Sequence, residues 1–149
     1  MDALDIALRL IVAVLIGVAL GLNRDLHGRP TGVRTLGIVG LGSALVVLAV
    51  GGSDSAATSR VIQGIVTGIG FIGAGVIVRR GGHGEQVQGL TTAACVWLTA
   101  CAGAASAVAD WIVILLSIPL IALVLTFGGA LEQAFHRFWP GQRMDDPGS

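Results

Sequence analysis

An all-α, multi-pass membrane fold is predicted by three observations: long uncharged stretches, glycines repeated at helical intervals inside them, and charges gathered between them. Of 149 residues, 54% are hydrophobic and 12% charged, with a mean hydropathy of +0.85, whereas soluble domains carry about 25% charged residues. Uncharged runs occupy 35–53, 61–78, 86–109 and 111–131, and 6–23 is broken by Arg9 alone. Each approaches the ~20 apolar residues that cross a bilayer core. Five transmembrane helices packed through glycine and small-residue faces follow, at about 4–23, 33–52, 61–78, 89–108 and 110–131. They make one domain, 1–131, with 132–149 as a cytoplasmic tail: an interfacial amphipathic turn, then disorder from Pro140 on.

The first span starts without a basic n-region or a small-residue cleavage site, so it reads as a retained helix and not a signal peptide. Asp5, Arg9, Ala13, Gly17 and Gly21 succeed each other at intervals of four and form one slowly drifting stripe. Arg9 therefore points where the small residues point, with Asp5 one turn earlier as its partner. The competing reading is an arginine that snorkels to the outer interface.

The loop "NRDLHGRPTGVRT" that follows concentrates the chain's polar chemistry. Asp25 can pair with Arg24, Arg29 or Arg34, Pro30 and Gly32 form a turn, and Arg34 with Thr35 opens the second span. One reading is a basic anchor with a satisfied ion pair. The other is a cytoplasmic vestibule built from Asn23, Arg24, Asp25 and Arg34, with Thr35 beside them, against the third loop, "RRGGHGEQVQ".

In the third span, "GIGFIGAG" contains Gly68-x-Gly70-x-x-Gly73, the spacing of a dinucleotide-binding loop. Its flanks exclude that chemistry: the surroundings are apolar, and the first acidic residue downstream, Glu85, lies 12 positions after Gly73 and beyond an arginine pair. Membrane helices associate through close backbone approach at small residues, so the glycines read as packing positions. At 100° per residue, Gly64, Gly68 and Gly75 fall within roughly 40° of one another, and Gly70 and Gly73 lie on the opposite side. Small residues on two faces predict a helix at the centre of the bundle.

On the fourth span Thr91, Cys95 and Thr99 form a weakly polar stripe continued by Gly103 and Ser106. It reads either as helix packing with interhelical hydrogen bonds or as the lining of a polar pathway. Cys95 and Cys101 are six residues apart, about 240° around a helix, and cannot pair within it. His27, His83 and His136 lie in separate polar segments without ligand spacing. The fifth span, "WIVILLSIPLIALVLTF", lacks such a stripe and carries Pro119, which predicts a peripheral, lipid-facing helix.

Orientation follows from the arginines. Arg24, Arg29 and Arg34 surround the first loop, Arg79 and Arg80 the third, and Arg137 and Arg143 lie in the tail. With five spans these segments share one side, which places the N-terminus outside and the C-terminus in the cytoplasm.

"GLNRD" at 21–25, "RPTGVRT" at 29–35, "GS" at 42–43, "GIGFIGAGVI" at 68–77 and "VQGLTTAACVWLTA" at 87–100 together resemble the transmembrane domain of the bacterial MgtC/SapB family, over about residues 6–127. The resemblance implies a five-span inner-membrane protein linked to low-magnesium adaptation and, in pathogens, to survival inside macrophages. It also implies a modulator of other membrane machinery, including the proton-translocating ATP synthase. The family's characteristic positions fall on Arg24, Asp25, Gly32, Arg34, Thr35, Gly68, Gly70, Phe71, Gly73, Gly75, Gly89, Thr92 and Trp97. Two departures bear on function. Where the family often has two acidic residues in a "GLERE"-like segment, this chain has Asn23 and Asp25. Many members carry a soluble regulatory domain after the fifth span, whereas 18 residues follow it here.

No nucleophile–base pair, metal cluster or cofactor loop stands out, so a non-enzymatic role is expected, with neither a cofactor nor a nucleic-acid partner. Magnesium favours oxygen ligands including carboxylates, yet Asp5, Asp25, Asp54, Glu85, Asp110 and Glu132 all sit at span ends or in loops. Bound Mg2+ therefore has no supporting ligand cluster. Two functions remain. The first is a regulator that recognises partner helices, in a homo-oligomer or with other membrane proteins. The second is an ion pathway lined by Thr91, Thr99 and Ser43.

Overall fold

The computed structural model describes residues 1–51, 54–80 and 86–138. Five helices run along the chain: α1 (Ala3–Leu26), α2 (Val33–Val50), α3 (Ser55–Gly75), α4 (Leu90–Val108) and α5 (Trp111–Phe138). Between α3 and α4 the backbone forms a two-stranded antiparallel ribbon, β1 (Val78–Arg80) with β2 (Gln86–Gln88), in which Arg79 faces Val87. Among the described residues α1, α2, α4 and the Trp111–Gly128 part of α5 are long and apolar enough to cross a membrane. α3 falls short in hydropathy, because it carries Arg60, Gln63 and five glycines among 21 residues.

The chain divides into two compact units, residues 1–115 and 116–149. In the first unit α4 is the central element, packed on α1, α2 and α3, while α1 and α2 pack closely on each other. The sequence pattern placed α3 at the centre, and the structure corrects this. Among the described residues a Cβ on Gly64, Gly68, Gly70 or Gly75 would meet no atom of another element within 4 Å, and of the α3 glycines only Gly73 comes close to a neighbour, the Ala93 Cβ of α4 lying 3.5 Å from where its own Cβ would be.

The close approaches lie instead on α1, α2 and α4. A Cβ on Gly17 would strike the Leu36 carbonyl of α2, one on Gly21 the Val33 Cα, one on Gly40 the Ala13 carbonyl at 2.6 Å, and one on Gly103 the Gly40 backbone. Glycine removes the side chain that would hold the backbones apart, so dispersion between main chains replaces side-chain interdigitation. Ala13, Leu36, Val47, Ala100 and Ala104 fill the space around these contacts and are almost fully buried.

The helix starts are capped in different ways. Asp54 accepts from the Ala56 and Ala57 amides at 2.9 and 3.0 Å, an N-cap for α3. α2 begins after Gly32, which has no side chain, and Asp25 at the end of α1 supplies the acceptor instead, taking the Val33 amide at 3.1 Å. Gly89 precedes α4 at φ +96 and lies so close to the Val76 carbonyl that a Cβ could not be accommodated. A residue other than glycine would be both strained and blocked there.

The second unit continues α5 as one helix through Pro119. Leu120, Leu123, Val124 and Phe127 are exposed, and the Thr126 hydroxyl donates to the Ala122 carbonyl at 2.6 Å. The helix extends to Phe138, seven residues past the expected end of the fifth span at 131. The remainder of the expected tail, 139–149, and residues 81–85 of the third loop, against which the vestibule was expected, lie outside the described residues.

Candidate functional site

The seam where α4 meets α1 and α2 collects most of the buried polar groups of the first unit. Thr92, Cys95, Thr99 and Ser106 of α4 are all buried. Their intervals of three, four and seven residues keep them on one helix face. The expected stripe began at Thr91, but that residue is exposed and Thr92 takes its place. The error is one residue, or 100° around the helix.

The Thr99 and Ser106 hydroxyls of this stripe are occupied by their own helix. Thr99 Oγ1 donates to the Cys95 carbonyl and Ser106 Oγ to the Gly103 carbonyl, both at 2.7 Å. This back-bonding satisfies the donors without any partner helix.

At one end of the seam stands Arg24, which is 5% exposed. Its Nε and Nη2 donate to the Pro30 carbonyl at 3.4 and 3.3 Å, Nη2 also donates to Thr92 Oγ1, and Nη1 lies 3.7 Å from Cys95 Sγ. All three acceptors are neutral. Arg24 thus leaves the predicted vestibule and enters the bundle, where it ties the first loop to α4.

The rest of that predicted cluster separates. Asp25 caps α2, while Arg34 and Thr35 are exposed on the first turn of α2. Asn23 is half-buried, and its carbonyl lies 2.6 Å from His27 Nδ1. Among the described residues Asp25 forms no ion pair with an arginine.

At the other end Arg9 pairs with Asp5, Nε lying 3.2 Å from each carboxylate oxygen. Nη1 donates to the Ser106 and Ala109 carbonyls at 3.0 and 3.3 Å, and the guanidinium sits 5.1 Å from the centre of the Trp111 ring. The guanidinium is thus turned into the protein at the α4–α5 junction, with an aromatic face adding to its attraction. Sequence spacing indicated the Asp5–Arg9 pair, but the carbonyls of Ser106 and Ala109 carry no signal that spacing can read.

Fifteen residues separate Arg9 from Arg24, about 22 Å along α1, so one helix places a guanidinium at each end of the same seam. Among the described residues no group of three or more His, Cys, Asp or Glu is placed to hold a metal ion.

Four apolar helices of membrane-crossing length, three of which (α1, α2 and α4) are joined through glycine contacts and a buried polar seam, define a multi-pass membrane protein. The profile of the MgtC family matches residues 10–134, and the chain belongs to that family. It is similar to Protein SrpB of Synechococcus elongatus, with 43% identity covering 74% of this chain and 67% of SrpB. It is also similar to an Escherichia coli K12 protein named "Putative magnesium transporter YhiD", at 39% identity over 66% of this chain and 49% of YhiD. Protein MgtC of Salmonella typhimurium LT2 is 40% identical over 62% of this chain and 39% of MgtC. The chain therefore spans about two thirds of SrpB, half of YhiD and a smaller part of MgtC. No solved structure matches.

Proposed function

We propose that this protein is a non-enzymatic regulator of other membrane machinery, acting in magnesium homeostasis or low-magnesium adaptation. It resides in the bacterial inner membrane with its N-terminus outside and its C-terminus in the cytoplasm. The magnesium association rests on family membership and on the name borne by YhiD. Its partners are further copies or other membrane proteins, the ATP synthase being the one that the family resemblance implies.

One observation supports regulation over conduction: the α1–α4 seam holds a fixed guanidinium at both ends, Arg24 on Thr92 and Arg9 on the Ser106 and Ala109 carbonyls. A positively charged side chain at a constriction raises the barrier to cations. Between the two arginines Gly103 lies against Gly40 and the hydroxyls are turned onto their own backbone. A divalent cation moving along this seam would meet the uncompensated charge of Arg24 at one end, a guanidinium already paired with Asp5 at the other, and no free oxygen cluster between them.

The second reading, an ion pathway, draws on the polar character of the same seam. Magnesium influx into liposomes holding the purified protein separates the two. Regulation predicts uptake equal to that of empty liposomes. Saturable uptake that Thr99→Leu abolishes would overturn it and make the seam the conduit.

A further inference from the structure

A cavity of about 460 Å3 opens at the end of the bundle where α1 and α3 begin and α2 and α4 end. Val47, Leu48, Ile62 and Val108 form its apolar wall, and Arg9, Ser55, Thr58 and Ser59 supply its polar side. The volume lies within the roughly 300–1,000 Å3 of small-molecule sites, which combine an apolar lining with a few placed polar groups. Neither the regulator reading nor the family match assigns it a role.

The donors are partly uncommitted. Arg9 spends Nε on Asp5 and Nη1 on two carbonyls, while Nη2 makes no hydrogen bond among the described residues. The Ser55 and Ser59 hydroxyls are likewise without a protein partner among the described residues, and both residues are exposed. The Thr58 hydroxyl donates to the Asp54 carbonyl, so its contribution is apolar contact and an acceptor. A guanidinium and two hydroxyls around one opening suit a group that only accepts hydrogen bonds, with oxygens on several sides.

Position identifies the source of that group. The cavity lies at the helix ends beside Arg9 and Trp111, a pairing of the residue types that anchor proteins at the membrane interface. Lipid headgroups fill that layer, and acyl chains run down from it along apolar helix surface.

We propose that this cavity binds a phospholipid, its phosphate on Arg9, Ser55 and Ser59 and the upper part of its acyl chain on Val47, Leu48, Ile62 and Val108. The site is independent of the proposed regulatory role. The Asp5–Arg9 pair carries no net charge, so recognition rests on hydrogen bonding to the phosphate and not on long-range attraction. Phosphatidylglycerol and phosphatidylethanolamine should therefore bind comparably.

The test is lipid retention by the purified full chain in detergent, read by native mass spectrometry during titration with phosphatidylglycerol, diacylglycerol or inorganic phosphate. The wild type should retain one phosphatidylglycerol in preference to diacylglycerol, with inorganic phosphate failing to displace it. Arg9→Gln should weaken retention about tenfold, the effect of losing one charged hydrogen bond. Val108→Trp narrows the cavity without touching a charge and should weaken retention as well, which keeps the test independent of any structural effect of Arg9. Equal retention of diacylglycerol, displacement by inorganic phosphate, or wild-type binding by Val108→Trp would each overturn the assignment.

Discussion

Arg24 is the residue whose environment departs furthest from its place in the sequence. It stands in "NRD", among charges at the end of a span, and in that setting it reads as a solvated anchor. In the structure it is buried, with neutral oxygen acceptors from Pro30 and Thr92 and the Cys95 sulfur beside it. A buried charge without these acceptors would be costly, so Thr92 is needed for Arg24 to be tolerated at this site. Thr92→Val keeps the shape and removes the acceptor, and it should destabilise the protein by about 1.5–3 kcal/mol, the range for a charged hydrogen bond. Combined with Arg24→Met in a double-mutant cycle, it should show a coupling of at least about 0.5 kcal/mol in unfolding from mixed micelles. The same cycle between Arg24 and the exposed Arg34 should show none. Additivity at Arg24 and Thr92 together with coupling at Arg24 and Arg34 would restore the vestibule.

At the scale of helices, two classes of glycine that look alike in sequence separate cleanly. Gly17, Gly21 and Gly103 lie against main chain of a neighbouring helix, whereas among the described residues a Cβ on Gly64, Gly68 or Gly75 would have room. Gly17→Leu and Gly103→Leu force backbones apart and should lower the midpoint of unfolding by the equivalent of 3 kcal/mol or more, beyond the roughly 1–3 kcal/mol of ordinary overpacking, because main chain cannot move aside as a side chain can. Gly68→Leu should leave the stability of the isolated chain within about 0.5 kcal/mol of wild type. A loss of association between copies in Gly68→Leu, read by cross-linking in membranes, would place the open face of α3 at an interface. The existence and rough bounds of the helices were legible because charge spacing and span length are local properties. The centre of the bundle was not, since periodicity reports which face is small and cannot say what lies against it. The same limit explains Thr91 for Thr92: both hydroxyls fit a helical stripe, and only the direction in which Arg24 enters selects between them.

For the whole molecule the open matter is whether α3 crosses the bilayer, since its hydropathy alone falls short of the other four helices. Geometry in the first unit answers through α4. Ser55, Thr58 and Ser59 at the start of α3 share a cavity with Val108 at the end of α4, while Gly73 near the end of α3 touches Ala93 near the start of α4. The two helices therefore run antiparallel over fifteen residues of α4, about 22 Å, and a crossing α4 requires a crossing α3. The 21 residues of α3 reach about 31 Å, the thickness of the hydrocarbon core. In a background with Cys95 and Cys101 replaced by serine, Ser55→Cys and Gln88→Cys place single thiols at exposed positions flanking α3. A membrane-impermeant maleimide applied to intact cells should label Ser55→Cys and reach Gln88→Cys only after permeabilisation. That outcome gives an odd number of crossings, with the termini on opposite sides and the arginine-rich first loop in the cytoplasm, as the charge distribution requires. Labelling of both positions from one side would make α3 re-entrant and put both termini in the same compartment.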